Sequence, residues 1–279
     1  MILPAVLAPA AGPVVVVSPE RVRPGDVVLI HVKGAPADLE GEWGSAPLRF
    51  FPVRDGVAAL VGVDLDVDPG RVTWRLTQTT AKDGHLVVGT GSTKIYPRAF
   101  DTQRLTLPPD QVDLDTETLA RVTAERAEME DALAGTAPER LWREAFRIPI
   151  NDGRPTGGFG LRRVINNQPR SPHTGYDWAA PVGTPVLAAN AGRVALVARH
   201  FFAGQLVVLD HGLGLATLYF HLDEPRVAAG DVVTRGQTIG TVGATGRVTG
   251  PHLHFGVLLA GARVDPLTLL AIQPPPAGP

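Results

Sequence analysis

From Val14 to about Tyr96 the chain alternates short apolar runs with turns. The runs are VVVV at 14–17, VVLIHV at 27–32, LRFF at 48–51, AALVGV at 58–63 and VTWRL at 72–76. Pro24-Gly25 and Pro69-Gly70 break them apart, as expected between antiparallel strands. The pattern changes between about Asp101 and Phe146. DTETLARVTAERAEMEDALAG predicts a helix from near Asp115 to Gly135, with Leu119, Val122, Met129 and Leu133 close to one face. Its many charges read as a solvated face. APERLWREAF, with Pro138 in the first turn, predicts a second short helix. Strand patterning returns at about Arg147. QLVVLD and GLGLATLYFHL predict a hairpin around His211-Gly212, and GDVVTRGQTIGTVG predicts two further short strands.

These elements describe a mostly β protein. Residues 14–100 are expected to form an immunoglobulin-like β-sandwich without its inter-sheet disulfide, serving as an accessory module. Residues 101–145 form a helical linker, 146–272 a second, antiparallel β domain, and 273–279 a proline-rich tail. A chain of 279 residues with 44% hydrophobic residues can build two cores of this kind.

Composition narrows the chemistry. The formal charge of −2 offers no electrostatic case for nucleic acid. Cysteine is absent, which removes both a disulfide framework and a thiolate nucleophile. The four serines, Ser18, Ser45, Ser92 and Ser171, include none in a GxSxG elbow. Residues 1–19 carry no charged side chain, and Met1–Ala11 resembles the apolar core of a secretory signal without its basic leading segment. A signal remnant or a disordered stretch over residues 1–13, and an exported location in periplasm, cell envelope or medium, are the expectation. Pro4, Pro9, Pro13 and Pro19 argue against a membrane-spanning helix there, while envelope association stays open. The sequence does not set an oligomeric state.

The candidate chemistry lies in SPHTGYD and GPHLHF. HLH makes sense on a strand, where His252 and His254 project from one face and Leu253 from the other. Phe255, Val257 and Leu259 continue the apolar pattern beyond His254. Pro172, Gly175 and Pro181 favour a loop running into a strand around His173 and Asp177. Imidazoles and a carboxylate suit zinc with an open position for water; a two-histidine, one-carboxylate iron site has the same ligand set, but two further cleft histidines disfavour it. No HExxH occurs, so an unligated histidine is the natural general base. His221 closes LYFHL, with Tyr219 expected on the same cleft-facing side. His31, His85 and His200 are expected to be structural or rim residues. His211 is a candidate for supporting a ligand, Asp210 for supporting a histidine or capping a turn, and Arg162 for orienting a substrate carboxylate or stabilising the cleft wall.

Five stretches in order, GGFGLRR, SPHTGYDWAAPVGTPV, VVLDHGLGLATLYFHL, GDVVTRGQTIG and GATGRVTGPHLHFGV, resemble the lysostaphin-like (LytM-type) zinc metallopeptidases, over about residues 146–270. That family cuts peptide bridges in bacterial peptidoglycan. The resemblance implies Zn2+ held by His173, Asp177 and His254, catalytic roles for His221 and His252, and a peptidoglycan peptide as substrate. The N-terminal half also resembles the β accessory domain of some of these enzymes. Inactive relatives that bind cell wall or activate an amidase have typically lost ligands, whereas all five positions stand here. GDVVTRGQTIG also resembles a biotinyl or lipoyl carrier hairpin, but no lysine follows Lys94.

Overall fold

A computed structural model of the chain describes residues 13–80, 84–106, 108 and 112–277. The signal-like stretch, apart from Pro13, lies outside them, as does the side chain of His85. Eight strands come first: β1 (Val14–Ser18), β2 (Val27–Lys33), β3 (Leu39–Trp43), β4 (Ala46–Pro47), β5 (Phe50–Val53), β6 (Gly56–Gly62), β7 (Gly70–Thr80) and β8 (Gly84–Ile95). They form two four-stranded sheets, ordered β1-β2-β6-β5 and β4-β3-β7-β8. This is the immunoglobulin-like order, A-B-E-D facing C′-C-F-G. All five predicted strands are present; β3, β4 and β8 complete the set.

The unbroken apolar run of β2 has a physical reason. Val28, Ile30 and Val32 enter the core shared by the two sheets. Val27 and Leu29, on the opposite face, enter a larger core built mainly from the C-terminal half. A strand buried on both faces loses the polar alternation of a half-exposed one.

Next come β9 (Thr102–Leu105) and α1 (Thr116–Ala134). The Asp115 carboxylate accepts a 2.7 Å hydrogen bond from Thr118 N and caps α1, and Gly135 ends it, in agreement with the sequence. Two expectations for this segment need correction. Residues 137–146 are not helical. Trp142 and Phe146 are buried in the large core, and the backbone bonds outward instead, Leu141 N to His211 O and Leu213 N to Ala137 O. Tertiary burial overrides the local helix preference. The linker is also not only helical, because β9 pairs in parallel with a strand beside the site.

The C-terminal half contains β10 (Arg154–Gly157), β11 (Arg162–Ile165), β12 (Gln168–Arg170), β13 (Gly175–Ala179), β14 (Pro185–Leu187), β15 (Gly192–His200), β16 (Gly204–Asp210), β17 (Leu215–Pro225), β18 (Val232–Val233), β19 (Thr238–Val242), β20 (His252–Leu259), β21 (Ala262–Val264) and α2 (Pro266–Ala271). Its central sheet runs β10-β13-β20-β17-β16-β15-β18, with every pairing antiparallel. The predicted hairpin is β16–β17. One face of the sheet buries Leu253, Phe255, Val257 and Leu259 in the large core. The other carries the site, and farther along it α1 rests Met129 and Leu133 on Leu206, Val208, Ala216 and Leu218.

Candidate metal centre

Strand register assembles the centre. Asp177 on β13 lies directly across from His254 on β20, and Phe220 on β17 lies across from His254 on its other side. The Phe220 ring stacks on the His254 imidazole, 5.2 Å between centroids at 12°, and fixes its plane. His173 sits in the loop before β13, where its Nδ1 lies 2.8 Å from the Gly158 carbonyl. A carbonyl only accepts, so His173 Nδ1 carries the proton and Nε2 presents a lone pair.

That Nε2 lies 3.0 Å from Asp177 Oδ1 and 2.9 Å from His254 Nδ1, and the last two are 2.9 Å apart. Three donor atoms in so small a triangle fit a shared cation, since two ligands of a tetrahedral zinc ion stand about 3.3 Å apart. Among the described residues this is the group suited to a metal. Two glycines make room for it. A Cβ at Gly157 would come within 2.5 Å of Asp177 Oδ2, and one at Gly175 within 2.6 Å of His254 Nε2 and 2.5 Å of the Phe255 carbonyl.

Electrostatics keep the ligands in binding form. Burial pushes His254 down to about 4 against the opposing pull of Asp177, so its ring is neutral at pH 7. Burial acts to raise Asp177, but the His173 and His254 imidazoles packed against it outweigh burial and hold the carboxyl well below the usual range.

His221 and His252 stand next to the triangle, 4.7 Å apart between ring centroids. His221 Nδ1 donates to Thr245 O at 2.9 Å and His252 Nδ1 to Gly250 O at 2.8 Å, leaving both Nε2 atoms without a proton when neutral. Burial, then the neighbouring His254 and His252, push His221 down to about 3.

The expectation that Tyr219 shares the cleft with His221 is wrong. Between Tyr219 and Leu222 strand β17 carries one residue more than β16, and His221 has φ +64°. This bulge breaks the alternation, so Phe220 and His221 both line the cleft while Tyr219 is buried in the core, its hydroxyl accepting from Ala189 N.

The other candidates have structural roles. His211 is buried, bonded to Ala191 O and Thr217 Oγ1 on the core side. Asp210 accepts from Gly212 N, Ala137 N and Thr136 Oγ1, capping the turn and tethering the linker. His200 meets Glu128 on α1, and His31 meets Asp55. Arg162 points away and pairs with Asp66; its neighbour Arg163 faces the cleft. The cleft, about 240 Å³, is also lined by Gln103 and Leu105 of β9 and by Arg247. None of these was visible in the sequence, because strand partners are set by the fold. A wider apolar groove of about 1080 Å³ under α1 shares Thr174, Phe202, Ala203 and Phe220 with the cleft.

A family model for peptidase family M23 matches residues 171–266, which include all five histidine and aspartate positions of the centre. The crystal structure of a protein from Pseudomonas aeruginosa placed in that family covers 90% of this chain and 95% of its own, at 30% identity and a TM-score of 0.69. The chain belongs to peptidase family M23. Among curated relatives, peptidoglycan DD-endopeptidase ShyB of Vibrio cholerae is 42% identical over 135 residues, 47% of this chain and 31% of ShyB. DD-carboxypeptidase/endopeptidase Mpg of Neisseria meningitidis is 37% identical over 140 residues, 44% of this chain and 32% of Mpg. The chain thus spans about a third of the length of these curated relatives.

Proposed function

We propose that this M23 chain is a zinc-dependent endopeptidase that hydrolyses peptide bonds in peptidoglycan, in cross-links or stem peptides, and that it works outside the cytoplasm where that substrate lies. Residues 14–100 would be its accessory module, 101–145 the connector and 146–272 the peptidase unit. The observation that carries this reading is the convergence of His173 Nε2, Asp177 Oδ1 and His254 Nδ1 beside two histidines whose Nδ1 protons are tied to carbonyls. The name of ShyB, a peptidoglycan DD-endopeptidase, supports the substrate, and that of Mpg, a DD-carboxypeptidase/endopeptidase, supports the peptidase activity.

In this reading His173, Asp177 and His254 hold the ion. Zinc bound there would polarise the scissile carbonyl and bring a water towards a pKa of about 7. With no glutamate base available, Nε2 of His221 or His252 accepts the proton of the attacking water. The resulting imidazolium then returns it to the leaving amine, so the proton count closes. The other imidazole, when protonated at Nε2, donates to the oxyanion.

Digestion of purified peptidoglycan with zinc-loaded and with chelated protein, followed by mass spectrometry of released peptides, tests this. Peptide release only with zinc is expected. No release from any wall type at full zinc occupancy would remove the reading, and stoichiometric iron with oxygen-dependent turnover would replace it.

A further inference from the structure

His221 has φ +64°, a left-handed conformation that costs a non-glycine residue free energy and persists only where the surroundings hold it. Part of that hold comes from Thr245, in the loop between β19 and β20 and outside the cleft lining. The Thr245 carbonyl accepts from His221 Nδ1 at 2.9 Å. Its hydroxyl accepts from Gln205 N at 2.9 Å and donates to Leu222 O at 2.7 Å. Gln205 and Leu222 are the pair at which the β16–β17 register resumes beyond the bulge. An extra residue interrupts a ladder locally, and the Thr245 hydroxyl bridges the two strands at that interruption. Two glycines with positive φ let the loop come this close. A Cβ at Gly204 would lie 2.4 Å from the Thr245 carbonyl oxygen, and one at Gly246 would lie 2.4 Å from Gly204 N. The same loop reaches the other imidazole, since His252 N donates to Gly243 O and His252 Nδ1 to Gly250 O.

We propose that Thr245 is a positioning residue for hydrolysis. Its hydroxyl locks the β17 bulge and so keeps its own carbonyl against His221 Nδ1, which leaves the Nε2 lone pair for the reaction. This rests on the endopeptidase reading of the same cleft, in which His221 handles a proton through Nε2. Thr245 acts through His221 and not on the reacting atoms. Without the hydroxyl the bridge between Gln205 and Leu222 is gone, the loop drifts, and the His221 proton is no longer confined to Nδ1. A displacement of about 1 Å at a reacting group costs on the order of 10²-fold in rate. The ligand triangle stands on β13, β20 and the loop before β13, so zinc is expected to stay.

The test joins nitrogen NMR of the imidazole rings in the full-length protein to steady-state rates, with the His221 signals identified by their loss in His221→Ala. In the wild type at neutral pH His221 is expected to carry its proton on Nδ1. A proton on Nε2 instead would overturn the proposal without any variant having to fold. Thr245→Val should spread the proton over both nitrogens and lower kcat by about 10–100-fold, with KM and zinc content close to wild type. Thr245→Ser, which restores the hydroxyl, should recover both the tautomer and the rate. In a His221→Ala background Thr245→Val should lower kcat no further. A second full loss there would mean that Thr245 supports the whole site and not His221, and would overturn the proposal. An unchanged tautomer or an undiminished kcat in Thr245→Val would do the same. A tautomer change in Thr245→Val that Thr245→Ser reverses, in a protein that cleaves nothing when zinc-loaded, would keep the lock on His221 and remove the hydrolase instead.

Discussion

At the scale of single residues the two imidazoles of HLH part company. His254 Nδ1 belongs to the ligand triangle, whereas His252 Nε2 stands 3.9 Å from Asp177 Oδ1, near the triangle and outside it. His254→Ala is therefore expected to abolish tight zinc binding and hydrolysis together. His221→Ala and His252→Ala should keep zinc and lower kcat by about 10²–10⁴-fold. Metal content by mass spectrometry beside steady-state rates reads the split, and full zinc with full activity in His254→Ala would refute the ligand assignment. Gly175→Ala offers a subtler test. The added Cβ would collide with the Phe255 carbonyl and His254 Nε2, so weaker zinc binding and a loss of about 1–3 kcal/mol are expected in chelator competition and denaturant unfolding.

Protonation belongs to this scale too. Burial pushes His211 down to about 4 from an ordinary 6.5, so below 6.5 the unfolded chain takes up a proton that the folded chain refuses. Its contribution is whole above about pH 6.5 and is lost as the pH falls towards 4, by at most about 3 kcal/mol. The thermal midpoint should drop across that window; a flat midpoint would contradict a neutral His211 core.

At the scale of elements the sequence was most readable where pattern and burial agree. The boundaries of α1, the β16–β17 hairpin and the strand bearing HLH follow from caps, turns and alternation. It was misleading where an element answers to distant partners. Residues 137–146 have helix-forming composition, yet Trp142 and Phe146 take the chain across the core as an extended strap. The β17 bulge is equally invisible, since LYFHL reads as regular alternation, but only an extra residue and a positive φ bring His221 into the cleft. Asp210 holds the strap at its start through Thr136 Oγ1 and Ala137 N. Asp210→Ala should remove three hydrogen bonds and cost about 2–4 kcal/mol, seen as a lower midpoint in denaturant unfolding with zinc content unchanged. An unaltered midpoint would show that the strap needs no tether.

At the scale of the molecule the two β regions share a core. Val27, Leu29, Phe51, Val53 and Ala58 of the sandwich join Trp142, Phe146 and the C-terminal sheet in one apolar cluster. Arg263 bonds to Asp64 at 2.5 Å and to Asp66, and Arg98 to Asp265 at 2.6 Å, across the same contact. Gly62 lies so close to Ala262 and Val264 that a side chain there would collide. A single calorimetric transition for the full chain is expected, with Gly62→Val lowering it as a unit. Two well-separated transitions would mean that the shared cluster does not couple the regions.

The sequence by itself determined the β character, the capped helix, and the residue types and spacings that supply two imidazoles and a carboxylate to a cation, because these rest on local periodicity and donor chemistry. Tertiary structure decided the rest. Which strand lies opposite His254, which side of β17 His221 takes, and which arginines stand over the cleft depend on register and a bulge, and those are set by contacts between residues far apart in the chain.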